Sequence, residues 1–145
     1  MEKDLNMEKC SVFRNVNKNL SGEDIMMLSP LQLAYIGDAV YELLVRTSLL
    51  DKDINVNQLN KLARKFVKAE GQSKIVHDLE EFLTDDEKYY VKKGRNTKTN
   101  SSPKNADMMD YKYATGFECL FGYLYLSHCE ERIGEIFEYI QKMEI

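Results

Sequence analysis

Ser29 to Arg46 reads SPLQLAYIGDAVYELLVR, and the fold turns on this stretch. Ser29 can cap a helix, Pro30 suits the first helical position, and Gln32 completes a capping box with Ser29. At about 100° per residue, Leu31, Leu33, Ala34, Ile36, Val40, Tyr41, Leu43, Leu44 and Val45 cover nearly the whole circumference. A helix apolar all round is a buried one. Asp38 nevertheless falls in the sector of Leu31, Ala34 and Val45. A buried carboxylate shifts its pKa, finds a partner or binds a metal. Gly37 beside it lowers helix propensity, which points to a close backbone approach at that position.

The totals bound the rest. With 145 residues, 43% of them hydrophobic, the chain suits one domain with a real core. Its formal net charge of -4 excludes a uniformly basic nucleic-acid binder, so any such affinity must be local. The three cysteines, Cys10, Cys119 and Cys129, follow no zinc spacing, and a reducing, cytoplasmic location is expected. Met1 to Leu20 is polar and does not read as a signal peptide. No apolar run approaches the roughly 18 residues of a membrane helix, so no membrane association is expected.

Residues 1–20 read as a loose arm and residues 21–145 as the domain. Val56 to Ala69 repeats Leu59, Leu62, Ala63, Phe66 and Val67 at helical spacing, with Lys61, Arg64, Lys65 and Lys68 opposite. This helix continues, or breaks at Gly71, into Ile75 to Leu83, and Thr84 caps another with Glu87. Lys92 to Asn105, KKGRNTKTNSSPKN, reads as a basic loop without an acid. Asp107 to Leu126 is a second strongly apolar helix, in which Glu118 lies beside Tyr111, Ala114, Gly122 and Tyr125. Glu131 to Met143 is a final amphipathic helix. With no useful strand alternation, the class is all-α.

Asp38 and Glu118 each sit in an apolar helix near a glycine, and they converge if those helices cross at Gly37 and Gly122. Two carboxylates with water and phosphate oxygens suit Mg²⁺. The competing reading is that each carboxylate hydrogen-bonds a backbone or Tyr group. His77 and His128 read as solvated or capping, and Cys119 as a small core residue. Lys and Arg of the basic loop and of the Val56 to Ala69 face supply sequence-independent affinity for nucleic acid. Together with the acidic pair they describe a nuclease.

LAYIGDAVYELLVR, Leu33 to Arg46, resembles the signature helix of the ribonuclease III catalytic domain. GRNTKTNSSPKN followed by YKYATGFECLFGYLYL, between Gly94 and Leu126, supplies the second match in family order. The similarity runs from about Leu28 to the C-terminus and is greatest to the Mini-ribonuclease III branch, which has no separate double-stranded-RNA-binding domain. The resemblance implies a ribonuclease III-like helical bundle acting as a homodimeric endoribonuclease. It would cleave double-stranded RNA with Mg²⁺ and leave 5′-phosphate and 3′-hydroxyl ends. Trimming of 23S ribosomal RNA precursors is the role implied by that branch. By position, Asp38 and Glu118 are the implied catalytic residues and metal ligands.

Ribonuclease III proper carries further acids where this chain has Leu31, Ala34 and Thr115, which leaves the number of ions open. Glu42, one turn after Asp38, could reach the same site through water but reads rather as a structural ion pair, and Asp107 and Asp110 read as partners of a helix dipole. Lys92, Lys93, Arg95, Lys98 and Lys104 are expected to bind RNA phosphates, helped by Arg64, Lys65 and Lys68. The alternative is a catalytically silent dimer that binds structured RNA. The exact RNA target and the participation of a ribosomal protein stay open.

Overall fold

The computed structural model describes residues 13, 16, 17, 19–98 and 107–144. Among them there are seven helices and no strand. They are α1 (Gly22–Met27), α2 (Pro30–Leu49), α3 (Val56–Val67), α4 (Ala69–Leu79), α5 (Asp85–Arg95), α6 (Met108–Leu126) and α7 (Glu130–Gln141). Among the described residues no helix is long and apolar enough to cross a membrane.

Helix α6 is the hub. It packs on α2 along one side and on α4 and α5 along the other. Two glycine crossings permit this. A Cβ on Gly37 would land on the Glu118 carbonyl oxygen, and one on Gly122 would land on that of Leu33. Gly94 of α5 and Gly116 of α6 meet in the same way. The crossing at Gly37 and Gly122 expected from sequence is therefore present. Below it, the fully buried Tyr41 ring meets Phe117 and Phe121 edge-on, with centroids 4.6 and 5.4 Å away. The Tyr41 hydroxyl donates to the Phe66 carbonyl at 3.0 Å, tying α2 to the end of α3.

Local chemistry sets the helix ends. Capping boxes open α1, α2, α3 and α5, including the expected Ser29–Gln32 and Thr84–Glu87 pairs. Asp107 caps α6, accepting from Met109 N at 2.8 Å and Asp110 N at 3.3 Å. His128 takes φ 62° just past α6, where the Cys129 amide reaches back to the Leu124 carbonyl at 2.9 Å. It closes the helix, which agrees with the capping role read from sequence.

Three expectations need correction. The break after α3 comes at Lys68, whose backbone is extended, and not at Gly71. Gly71 lies buried inside α4 because the Lys65 carbonyl presses on it. The basic segment does not begin as a loop: Lys92 to Arg95 form the last turn of α5, held by buried Val91 and Gly94. Lys and Arg there also suit the carbonyl end of a helix. Thirdly, α2 is not buried all round. Leu31, Tyr35 and Leu43 are 44, 82 and 60% exposed, and Asp38 is exposed as well.

Far from these crossings, Glu87 is buried and bidentate with Arg132 of α7, at 2.7 and 2.8 Å. The same guanidinium donates to the Phe82 carbonyl at 2.8 Å. Burial alone would push the Glu87 carboxyl up, but the Arg132 and Thr84 hydrogen bonds outweigh it and hold the group below its usual value of 4.5. Its contribution to stability is present above pH 4.5 and is lost as pH falls through the depressed value. Glu87→Gln should cost about 2 kcal/mol, because it leaves the half-buried Arg132 with only the exposed Glu135 carboxylate, 3.0 Å away, as its charge partner. Urea unfolding at pH 7 and pH 3.5 checks this: the gap between parent and variant should shrink at the lower pH.

Candidate active site

The glycine crossing builds the site. It presses the backbone of Glu118 against the turn of α2 that carries Asp38, so the two carboxyls come within hydrogen-bonding reach. They face a cleft of about 450 Å³, open to solvent, which Glu42 also lines. The cleft's apolar wall comes from Leu31, Tyr35 and Ala39 of α2, and Tyr111 and Thr115 of α6 complete it.

The acids differ in setting. Asp38 is exposed at the mouth, whereas Glu118 is half-buried. Desolvation first, then the nearby charges of Asp38 and Glu42, push the Glu118 carboxyl up to about 9. At neutral pH and without a cation, Glu118 therefore keeps its proton and can donate it to Asp38. Asp38 and Glu118 are the residues that would hold a divalent cation in place of that proton. The donor set thus fits a hard cation with oxygen ligands. Among the described residues no three or more His, Cys, Asp or Glu side chains close round one point. The pair leaves the remaining coordination positions to water and substrate oxygens, as Mg²⁺ prefers.

Glu42 lies one turn beyond Asp38 and is ion-paired to Arg46 at 2.8 Å. That agrees with the structural pair expected, although its charge is also felt by Glu118. Thr115, one turn before Glu118, donates its hydroxyl to the Tyr111 carbonyl at 3.0 Å. Tyr35, Tyr111 and Thr115 were not among the site residues expected from sequence. Their signal is the spacing of 111, 115 and 118 on one face of α6.

The expected phosphate-binding cations are dispersed. Lys92 and Arg95 line one hollow on the far face of α6, away from the acids. Lys93 instead reaches over the rings of Tyr89 and Tyr90, at 6.0 and 5.9 Å. Lys98 is exposed beyond α5, and Lys104 lies outside the described residues. Lys65 and Lys68 line a second hollow, balanced there by Glu70, Asp78 and Asp110. Arg64 is exposed on α3.

The ribonuclease III domain family model matches residues 31–128, which hold both acids and the glycine crossing. The chain is 44% identical over 127 residues to the Mini-ribonuclease 3 of Clostridium tetani, covering 86% of this chain and 84% of that relative. It is 45% identical over 134 residues to the Mini-ribonuclease 3 of a Thermoanaerobacter species, covering 91% and 94%. A crystal structure of a Fusobacterium nucleatum protein superposes with a TM-score of 0.73 at 34% identity, covering 79% of this chain and 94% of the other.

Proposed function

The chain belongs to the ribonuclease III family, on its Mini-ribonuclease 3 branch, and we propose that it is a Mg²⁺-dependent endoribonuclease whose cleft at Asp38 and Glu118 cuts double-stranded RNA. The observation that supports the site assignment is the meeting of these two carboxyls at a glycine crossing beside an open cleft. Asp38 and Glu118 would hold the ion, and Glu42 would hold its Arg46 partner at the edge of the cleft. When bound, the ion would neutralise charge developing on the phosphate and acidify an attacking water, leaving 5′-phosphate and 3′-hydroxyl ends. The half-burial of Glu118 keeps its carboxyl protonated until a bound cation takes the place of the proton. Residues 21–145 would act as the catalytic domain, and most of the expected arm, residues 1–20, lies outside the described residues.

The working unit is a homodimer. Leu31, Tyr35, Ala39 and Leu43 form an exposed stripe along α2. Met27 at 83% and Met109 at 51% exposure lie at the neighbouring helix ends. A stripe this apolar calls for a partner, and a second copy seated there would bring two clefts to one duplex. Precursor 23S ribosomal RNA is the substrate this reading favours. Incubating the protein with a double-stranded RNA, with and without Mg²⁺, and sequencing the product ends tests the activity. Light scattering at micromolar concentration tests the dimer. Mapping 23S ends in cells lacking the protein tests the substrate.

The cations of α5 and its following segment supply affinity, not chemistry. Replacing Lys92, Lys93 and Arg95 together by Gln should flatten the salt dependence of RNA binding, lowering the log–log slope by about 3. The saturated single-turnover rate should stay near that of the parent, since α6 separates the hollow lined by Lys92 and Arg95 from the acids. A salt titration paired with single-turnover cleavage reads both.

A further inference from the structure

Between α4, α5 and α6 lies a hollow of about 190 Å³, on the face of α6 turned away from the acid cleft. Lys88, Lys92 and Arg95 line it, spaced to form one stripe along α5, and among the described residues Glu80 is the only carboxylate of its lining. Leu83 and Val91 give it an apolar floor. In an acidic protein this is a locally positive, partly enclosed site.

Two of its groups are held in place. The Arg95 guanidinium sits over the Tyr113 ring, 5.6 Å from its centroid. The His77 ring packs on the same tyrosine, with centroids 4.3 Å apart. His77 Nδ1 lies 2.7 Å from the Ser73 carbonyl oxygen. A carbonyl only accepts, so Nδ1 carries the hydrogen, and in the neutral imidazole Nε2 is left as an acceptor. An acceptor beside three phosphate-binding cations matches a ribose hydroxyl next to a phosphate. The 2′-hydroxyl is the group that distinguishes RNA from DNA.

We propose that this hollow is a ribonucleotide site, in which Lys88, Lys92 and Arg95 take a phosphate and His77 Nε2 accepts from the adjoining 2′-hydroxyl. The phosphate can belong to a bound RNA strand, in which case the inference rests on the RNA reading above, or to a free ribonucleotide.

The experiment follows backbone amides by NMR while adding adenosine 5′-monophosphate or its 2′-deoxy counterpart to the metal-free protein. In parallel, binding of an RNA duplex and of the same duplex with 2′-deoxy substitution is measured by anisotropy at pH 8 in chelator. Amides of α4 and α5 around the hollow should shift, with the ribose form bound about fivefold more tightly, the value of one hydrogen bond. His77→Phe, which keeps a ring against Tyr113, should erase that preference and leave deoxy binding unchanged. Arg95→Gln should weaken both forms alike.

Preference seen only with the duplex assigns the phosphate to the RNA strand, and shifts with the mononucleotide assign it to a free ribonucleotide as well. Mononucleotide shifts in a protein that fails to bind duplex RNA would sink the RNA reading while keeping the site. Absence of shifts at millimolar mononucleotide, with duplex binding indifferent to both variants, would overturn the site. Equal loss of ribose and deoxy binding in His77→Phe would overturn the role given to His77.

Discussion

Glu118→Gln is expected to stop cleavage, by about 10³-fold or more, and at the same time to stabilise the metal-free protein. The first effect follows from losing a proposed charged ligand of the ion, which would supply several kcal/mol of transition-state stabilisation. The second follows from the position of the carboxyl. Burial and the charges of Asp38 and Glu42 push it up to about 9, from an ordinary 4.5. A carboxyl raised in this way favours the folded state most below pH 4.5, and its contribution declines as pH climbs towards 9. Glutamine has no proton to lose, so at pH 7.5 the variant should gain about 1–3 kcal/mol over the parent in chelator. Adding Mg²⁺ should raise the melting temperature of the parent more than that of the variant. The ion displaces a proton, so its affinity for the parent should also rise with pH. Thermal melts across pH 5 to 9, with and without Mg²⁺, read all of this beside a cleavage assay. A variant destabilised at every pH would show Glu118 to be a structural acid.

Gly37→Ala is expected to cost about 3 kcal/mol or more and to remove most cleavage by protein that still folds. Its Cβ would fall on the Glu118 carbonyl oxygen, a backbone atom that no rotamer change can move aside. The helices must separate, which opens the packing round Tyr41, Phe117 and Phe121 and draws Glu118 away from Asp38. A displacement of about 1 Å at a catalytic site already costs on the order of 10²-fold in rate. Gly134→Ala makes a control, since its Cβ would meet nothing within 4 Å. Urea unfolding and single-turnover cleavage of the two variants check the contrast.

How legible the site was depends on which physical signals a single chain carries. Gly37 and Gly122 stand out in sequence because a small residue inside an apolar helix lowers propensity and needs a packing reason. Ser29, Thr84 and Asp107 are legible because capping is local. The exposure of Asp38 was not. A helical wheel places it among apolar neighbours, but it cannot say that this sector borders an open cleft lined by both α2 and α6. The basic segment misled for a related reason. Lysine and glycine at 92–94 look like loop composition, yet Gly94 is required by Gly116 across the helix contact, and that partner is distant in the chain. The hollow around His77 left no sequence signal, since His77, Arg95 and Tyr113 come together only after three helices have packed.

On the function proposed above, Asp38 and Glu118 would act as one site on one RNA bond. A double-mutant cycle of single-turnover cleavage tests it, using Asp38→Asn, Glu118→Gln and the pair, on an end-labelled RNA duplex in Mg²⁺. Residues that serve one ion are strongly non-additive. Each single change is expected to remove nearly all activity, with the double variant no slower than either. Losses that multiply across the pair, or a single variant that cuts at a near-normal rate, would contradict it.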